Sequence, residues 1–255
     1  ACEKAYSKFE DADAAPLIKL DENFYIMELF HGPTLAFKDV ALTLLPFLLR
    51  KGADISGNKD NILILVATSG DTGKAALEGF KDVKNTEIMV FYPNDGVSAM
   101  QQLQMNTQKG ENVYVCAING NFDDAQTGVK TIFTDNGIKD ILAKNNMEFS
   151  SANSINWGRL APQIIYYVSA YCDLLDKGEE YLKDGFNVVV PTGNFGNILA
   201  AYYAKVMGVP INKLICASNS NNVLTDFLRT GTYDRNRSFF TTISPSMDIL
   251  ISSNL

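Results

Sequence analysis

Three runs of consecutive apolar residues, at 62–66, 88–92 and 113–117, begin 26 and 25 residues apart, with stretches of helical spacing between them. Strand, helix, strand at that interval is the pattern of a right-handed crossover unit, and repeated units make a parallel sheet. The runs are apolar on successive residues rather than alternate ones, which suits strands covered on both faces. Two further runs, at 187–190 and 214–217, extend the series. The fold class is therefore α/β. The pattern predicts a smaller α/β domain over 61–150, inserted into a larger domain made of 1–60 and 151–255. Between strands, Asn121 followed by Asp123 and Asp124 reads as a capped helix start, with Val129, Ile132 and Phe133 on one face. Longer helices are expected at 39–51, with Pro46 as a kink, and at 156–176.

Charge narrows the partners. Against 22 Lys and Arg stand 29 Asp and Glu, a net charge of −7. No basic surplus exists to neutralise a nucleic-acid backbone or an anionic membrane, although a small anionic substrate needs only a few local donors. No segment reaches the roughly 18 uninterrupted apolar residues of a membrane span. The first 20 residues lack the basic-then-apolar layout of a signal peptide, and a reducing cytoplasm is the expected location. Four scattered cysteines and one histidine, His31, offer no clustered metal-ligand set. Cys116 and Cys216 lie within apolar runs and are expected to be buried.

The stretch VATSGDTGKAALEGF (66–80) has the build of an anion site, an apolar strand running into glycines and then a helix. It fails the test for a nucleotide loop, which needs Gly-x-x-x-x-Gly-Lys-Ser/Thr. Counting back from Gly73 and Lys74, the first glycine position holds Thr68, and the magnesium-binding position holds Ala75. Ser69, Asp71 and Thr72 nevertheless set hydroxyls and a glycine-rich backbone at a helix start. That arrangement serves equally for an anion cup or an ordinary cap.

Three more segments carry chemistry. In FHGPTLAFKD (30–39), Lys38 follows Leu35, Ala36 and Phe37 at a helix start. Apolar neighbours and the positive helix end disfavour its ammonium form, so its pKa should fall, and a neutral lysine condenses with aldehydes. In VVVPTGNFGNILAAYYAKVMG (188–208), a strand turns through Gly193, Asn194, Phe195, Gly196 and Asn197 into a helix, where successive backbone N–H groups can converge on a phosphate. A dinucleotide fingerprint is missing there, because Gly-x-Gly-x-x-Gly is not completed. In SSANSINWGRLAPQ (150–163), Asn153, Ser154, Asn156 and Arg159 gather before a long helix, and Arg159 has the fork that grips a phosphate or carboxylate. A reactive lysine with two separate anion cups points to pyridoxal 5′-phosphate, whose aldehyde takes the lysine and whose phosphate takes one cup.

As a set, LFHGPTLAFKD, ATSGDTGKAA, NSINWGR, PTGNFGNILAAYYAK and SPSMDILISSNL resemble the threonine synthase family, pyridoxal-phosphate enzymes of the tryptophan-synthase-β structural type. The resemblance spans essentially the whole chain. It implies two three-layer parallel-sheet domains, and a lyase that converts O-phospho-L-homoserine and water to L-threonine and phosphate. By it, Lys38 bonds the cofactor aldehyde, residues 193–197 hold the cofactor phosphate, and Asp71 stands where many relatives carry an asparagine near the cofactor's 3′-hydroxyl. Ser69, Thr72, Asn153, Ser154 and Arg159, with Asn194 as a further candidate, match groups that hold the substrate phosphate. The resemblance also implies a segment before Ala1 and a substantial portion after Leu255. The latter includes the Ser or Thr that meets the pyridine nitrogen, so this chain alone is expected to bind cofactor weakly. A serine/threonine dehydratase, a cysteine synthase or a non-catalytic phosphometabolite-binding protein are the competing readings. Oligomeric state and any catalytic role of His31 are not written in the sequence.

Overall fold

A computed structural model describes residues 1–68, 70–153, 156–178, 182, 184–249 and 252. By contacts the chain divides into two compact units, Ala1–Arg159 and Leu160–Leu255.

The first unit opens with α1 (Cys2–Ala5) and an antiparallel hairpin, β1 (Leu17–Asp21) and β2 (Phe24–Met27). Two helices follow, α2 (Asp39–Leu42) and α3 (Leu45–Ser56). The expected kink at Pro46 is a full break. Pro46 sits in the first turn of α3, where its missing N–H would have had no helical acceptor. The crossover series then runs β3 (Asn61–Ala67), α4 (Asp71–Phe80), β4 (Thr86–Pro93), α5 (Ala99–Asn106), β5 (Val113–Ile118), α6 (Phe122–Thr134), α7 (Asn136–Lys144) and β6 (Met147–Ser151). The four strands β3 to β6 form one parallel sheet in the order β5-β4-β3-β6.

Consecutive apolar residues in β3 are explained by its two covered faces. Ile62, Ile64 and Val66 pack with Ala75, Leu77 and Phe80 of α4, Met105 of α5, and Leu42 and Leu45. Leu65 and Ala67 point the other way, onto Ala125 and Val129 of α6. Each such Val, Leu, Ile, Phe or Met side chain, fully buried, stabilises the fold by about 1.5–3 kcal/mol. The α6 start is a reciprocal capping box, Asn121 with Asp124, as the acidic first turn predicted. Cys116 corrects an expectation. It is exposed because β5 is the edge strand, and Cys216 is half-buried.

The second unit holds most of α8 (Trp157–Asp176), then β7 (Phe186–Pro191), α9 (Gly196–Val206), β8 (Ile211–Ala217) and α10 (Val223–Thr230). Strands β7 and β8 pair in parallel. Between β8 and α10, Asn219 ties the chain to the segment beyond α10. It donates to Asp248 Oδ1 at 2.7 Å and Thr242 Oγ1 at 3.0 Å, while the Thr242 N–H donates to Asp248 Oδ2. No described helix is long and apolar enough to cross a membrane.

Candidate active site

Strand order locates the crevice. From β3 the chain moves outward to β4 and β5, then returns to the other side of β3 as β6. Loops at the carboxyl ends of β3 and β6 therefore diverge at a switch point, the usual ligand position in open parallel sheets. The loop after β3 leads into Asp71 and Thr72 at the start of α4, and the loop after β6 carries Asn153 and leads to Arg159. Ser69 and Ser154 lie outside the described residues.

Lys38 occupies the residue before α2, with its side chain only 11% exposed. Its Nζ stands 3.6 Å from Asp71 Oδ2 and lies over the Phe37 ring, 4.6 Å from the centroid. Burial pushes the amine's pKa down, Asp71 pulls it partly back, and Arg159 lowers it again. The fall expected from sequence therefore arises chiefly from burial, because α2 is a single turn with little dipole to contribute. Asp39, the next residue, is wholly buried. It accepts from the Thr34 N–H at 2.7 Å and the Thr34 hydroxyl at 2.6 Å, which fixes the loop leading to Lys38.

The 68–73 loop differs from a simple anion cup. Thr68, buried at its end, accepts from the N–H groups of Gly70 at 3.0 Å and Gly73 at 2.9 Å. Two of the backbone donors that an anion would want are thus already taken. Gly73 is a glycine for packing: a Cβ there would lie 2.5 Å from Thr68 Cγ2 and 2.9 Å from Met105 Sδ. The half-buried Thr72 is left in the first turn of α4, where a helix start favours an anion.

Arg159 is buried, and its Nη1 donates to the Ala152 carbonyl at 3.0 Å. It does not lie on a solvated helix face. Burial lowers its pKa to about 10, so it stays charged at neutral pH. Asn156 caps α8 by accepting from the Gly158 N–H at 2.9 Å and donates to the Ser151 carbonyl at 2.6 Å. Asn153 is half-buried, beside that cap. His31 meets Glu28 at 2.8 Å and stacks against Phe30. Sequence reading missed Asp39, Thr68 and Gln101. Gln101, on α5, donates to Asp71 Oδ1 at 2.6 Å.

In the second unit, the 193–197 turn ends β7 and starts α9. Phe195 adopts φ 65°, a left-handed conformation that is uncommon for a side chain of its size and is of the kind used in anion-binding turns. Around the absent Cβ of Gly193 the nearest atom is the Ser246 carbonyl oxygen, 3.9 Å away, so the turn is open. Asn197 accepts a short hydrogen bond from the Tyr167 hydroxyl, another partner missed in the sequence. These features fit a phosphate monoester, and the buried amine of Lys38 fits an aldehyde.

Among the described residues no cluster of three or more His, Cys, Asp or Glu side chains is arranged for a metal. A groove of about 850 Å³ lies at the opposite, amino-terminal end of β4 and β5. Lys81, Lys84 and Lys109 there are balanced by Asp82, Glu87 and Glu111, and the groove contains none of the site residues.

Comparison with known proteins agrees with this chemistry. The family described as pyridoxal-phosphate dependent enzyme matches residues 12–254. Threonine synthase-like 1 of Homo sapiens is 48% identical, over 99% of this chain and 35% of its own length. Threonine synthase of Saccharomyces cerevisiae is 43% identical, over 98% of this chain and 49% of its own. A crystal structure of pyridoxal-phosphate-bound threonine synthase from Brucella melitensis superposes with a TM-score of 0.83 at 44% identity, covering 99% of this chain and 52% of that one. The chain thus spans about half the length of the threonine synthases it matches.

Proposed function

The chain belongs to the pyridoxal-phosphate dependent enzyme family, and from that premise we propose that the protein is a threonine synthase, forming L-threonine and phosphate from O-phospho-L-homoserine and water. The observation that carries the reading is a buried lysine amine, 3.6 Å from Asp71 and within the field of the buried Arg159. Lys38 would hold the cofactor aldehyde, and residues 193–197 would hold its phosphate at the start of α9. Its domains would be a larger one of 1–60 and 151–255 and a smaller one, 61–150, inserted in it.

When bound, pyridoxal phosphate supplies an electron sink beside the substrate α-carbon. The chain's own groups do the rest. Lys38 Nζ, buried and with its pKa lowered, would take the proton from the substrate α-carbon. Arg159, Thr72 and Asn153, with Ser69 and Ser154, orient the phosphate leaving group and stabilise the charge that grows on it. Asp71 Oδ2 balances the cationic form of Lys38.

The test is phosphate release from O-phosphohomoserine by the full-length protein, set against ketoacid formation from threonine. Arg159→Ala should cost catalytic efficiency with the phosphorylated substrate, and normal efficiency in that variant would remove Arg159 from the site. A second reading, a phosphometabolite-binding protein without turnover, predicts a different outcome in that assay. Ligand binding without phosphate release would select it.

A further inference from the structure

We propose that Gln101 is a positioning residue that sets the charge state of Lys38 by aiming the Asp71 carboxylate at it. The three side chains come from different elements, α5, α4 and the residue before α2, and form a directed series. Gln101 is buried, and its Nε2 donates to Asp71 Oδ1 at 2.6 Å. The other carboxylate oxygen, Oδ2, is thereby turned to Lys38 Nζ at 3.6 Å. The Gln101 amide is fixed from behind, because Ser98 Oγ donates to its Oε1 at 2.9 Å and determines which end of the amide faces Asp71.

Gly70 supplies an independent observation. At φ +145°, its absent Cβ would lie 2.4 Å from both Cδ and Nε2 of Gln101. The amide therefore lies flat against the backbone at the start of α4, a position that only glycine leaves open. The other ionic groups acting on Lys38 are Arg159 in the first turn of α8 and Asp39 on α2. Asp39 is occupied by Thr34, and Arg159 opposes the ammonium form, so Asp71 is the principal group that favours it.

A plainer role for Gln101 is available, since Ser98 and Gln101 stand at the spacing of a capping box. Substitution separates the two roles. Gln101→Glu keeps a capping-box residue but replaces the donor with a second carboxylate. Gln101→Leu removes the donor without adding charge.

The inference deepens the reading of Lys38 as the cofactor's lysine and takes its meaning from that reading, but its test needs no cofactor. In cofactor-stripped full-length protein, the rate of Lys38 acetylation by trace acetic anhydride is followed against pH by peptide mass spectrometry. Gln101→Leu should lower the Lys38 midpoint by about one unit, a roughly tenfold gain in free amine at a fixed pH below it. Gln101→Glu should raise the midpoint. In an Asp71→Asn background, Gln101→Leu should produce no further shift. Unmoved midpoints, shifts of the same sign in both variants, or an undiminished shift without the Asp71 charge would each overturn the proposal. Should the Leu variant not fold, the sign of the Glu shift decides alone. Borohydride fixation of cofactor on the wild-type protein is scored separately, so failure of the cofactor reading is distinguishable from failure of this one.

Discussion

Asp39→Ala tests how the lysine loop is held. The Asp39 side chain is fully buried, accepts both Thr34 donors, and packs so closely on Gly32 that a Cβ at 32 would meet it at 2.5 Å. Hydrogen bonds to a charged acceptor contribute about 1.5–3 kcal/mol each. Part of that is offset because burial raises the Asp39 pKa against the influence of Thr34, a sign that the carboxylate is held at some expense. A net loss of about 2–3 kcal/mol is expected, a large share of a domain's stability of about 5–15 kcal/mol. Urea unfolding of the full-length protein supplies the global figure. Amide exchange of the 30–38 peptide supplies the local one, with the Thr34 N–H losing protection. Asp39→Asn, which keeps an acceptor for Thr34 N–H, should lose about 1 kcal/mol or less. If Asp39→Ala unfolds within about 0.5 kcal/mol of wild type, as an ordinary surface change would, with unchanged exchange at Thr34, the anchoring role is refuted.

Three further outcomes are expected from the same packing. Because the folded pKa of Asp39 is raised above its ordinary 3.8, its contribution to stability is greatest below that value and declines as pH rises through the folded pKa. The difference in unfolding free energy between wild type and Asp39→Asn, measured against pH, should show that decline, and a flat difference contradicts the burial assigned to this carboxyl. Gly79→Ala should destabilise by about 1–3 kcal/mol in thermal or urea unfolding despite alanine's better helix propensity, because its Cβ would lie 2.2 Å from the Leu42 carbonyl oxygen. A stabilised variant would show that α2 and α4 do not meet there. Tyr167→Phe removes the hydroxyl that donates to Asn197 and should weaken pyridoxal-phosphate binding about fivefold in an absorbance titration. Unchanged affinity would detach Asn197 from the phosphate turn.

What the sequence reveals here is what depends on neighbours close along the chain. Contiguous apolar runs report strands covered on both faces, and β3, β4, β5, β7 and β8 all lie where such runs occur. The Asn121 cap is equally local. Strand β6, MEFSS, carries no apolar run because it is the other edge of the sheet, and the β1–β2 hairpin exposes most of its residues, so both escaped the pattern. Cys116 misled for the same reason, since an edge strand leaves one flank uncovered. In the site, Lys38 and Arg159 were legible as residue types in context. Their partners were not, because Gln101 reaches Asp71, and Tyr167 reaches Asn197, across 30 residues of chain. Nor does glycine spacing alone disclose that Thr68 occupies two amides of the 68–73 loop.

Covalent attachment at position 38 is the point on which the chemistry turns. Full-length protein incubated with pyridoxal phosphate, reduced with borohydride and digested should yield a single pyridoxyl-modified peptide containing Lys38, with the modification lost in Lys38→Ala. A label on another lysine such as Lys74, or no label in a protein that still binds the cofactor, would contradict the account.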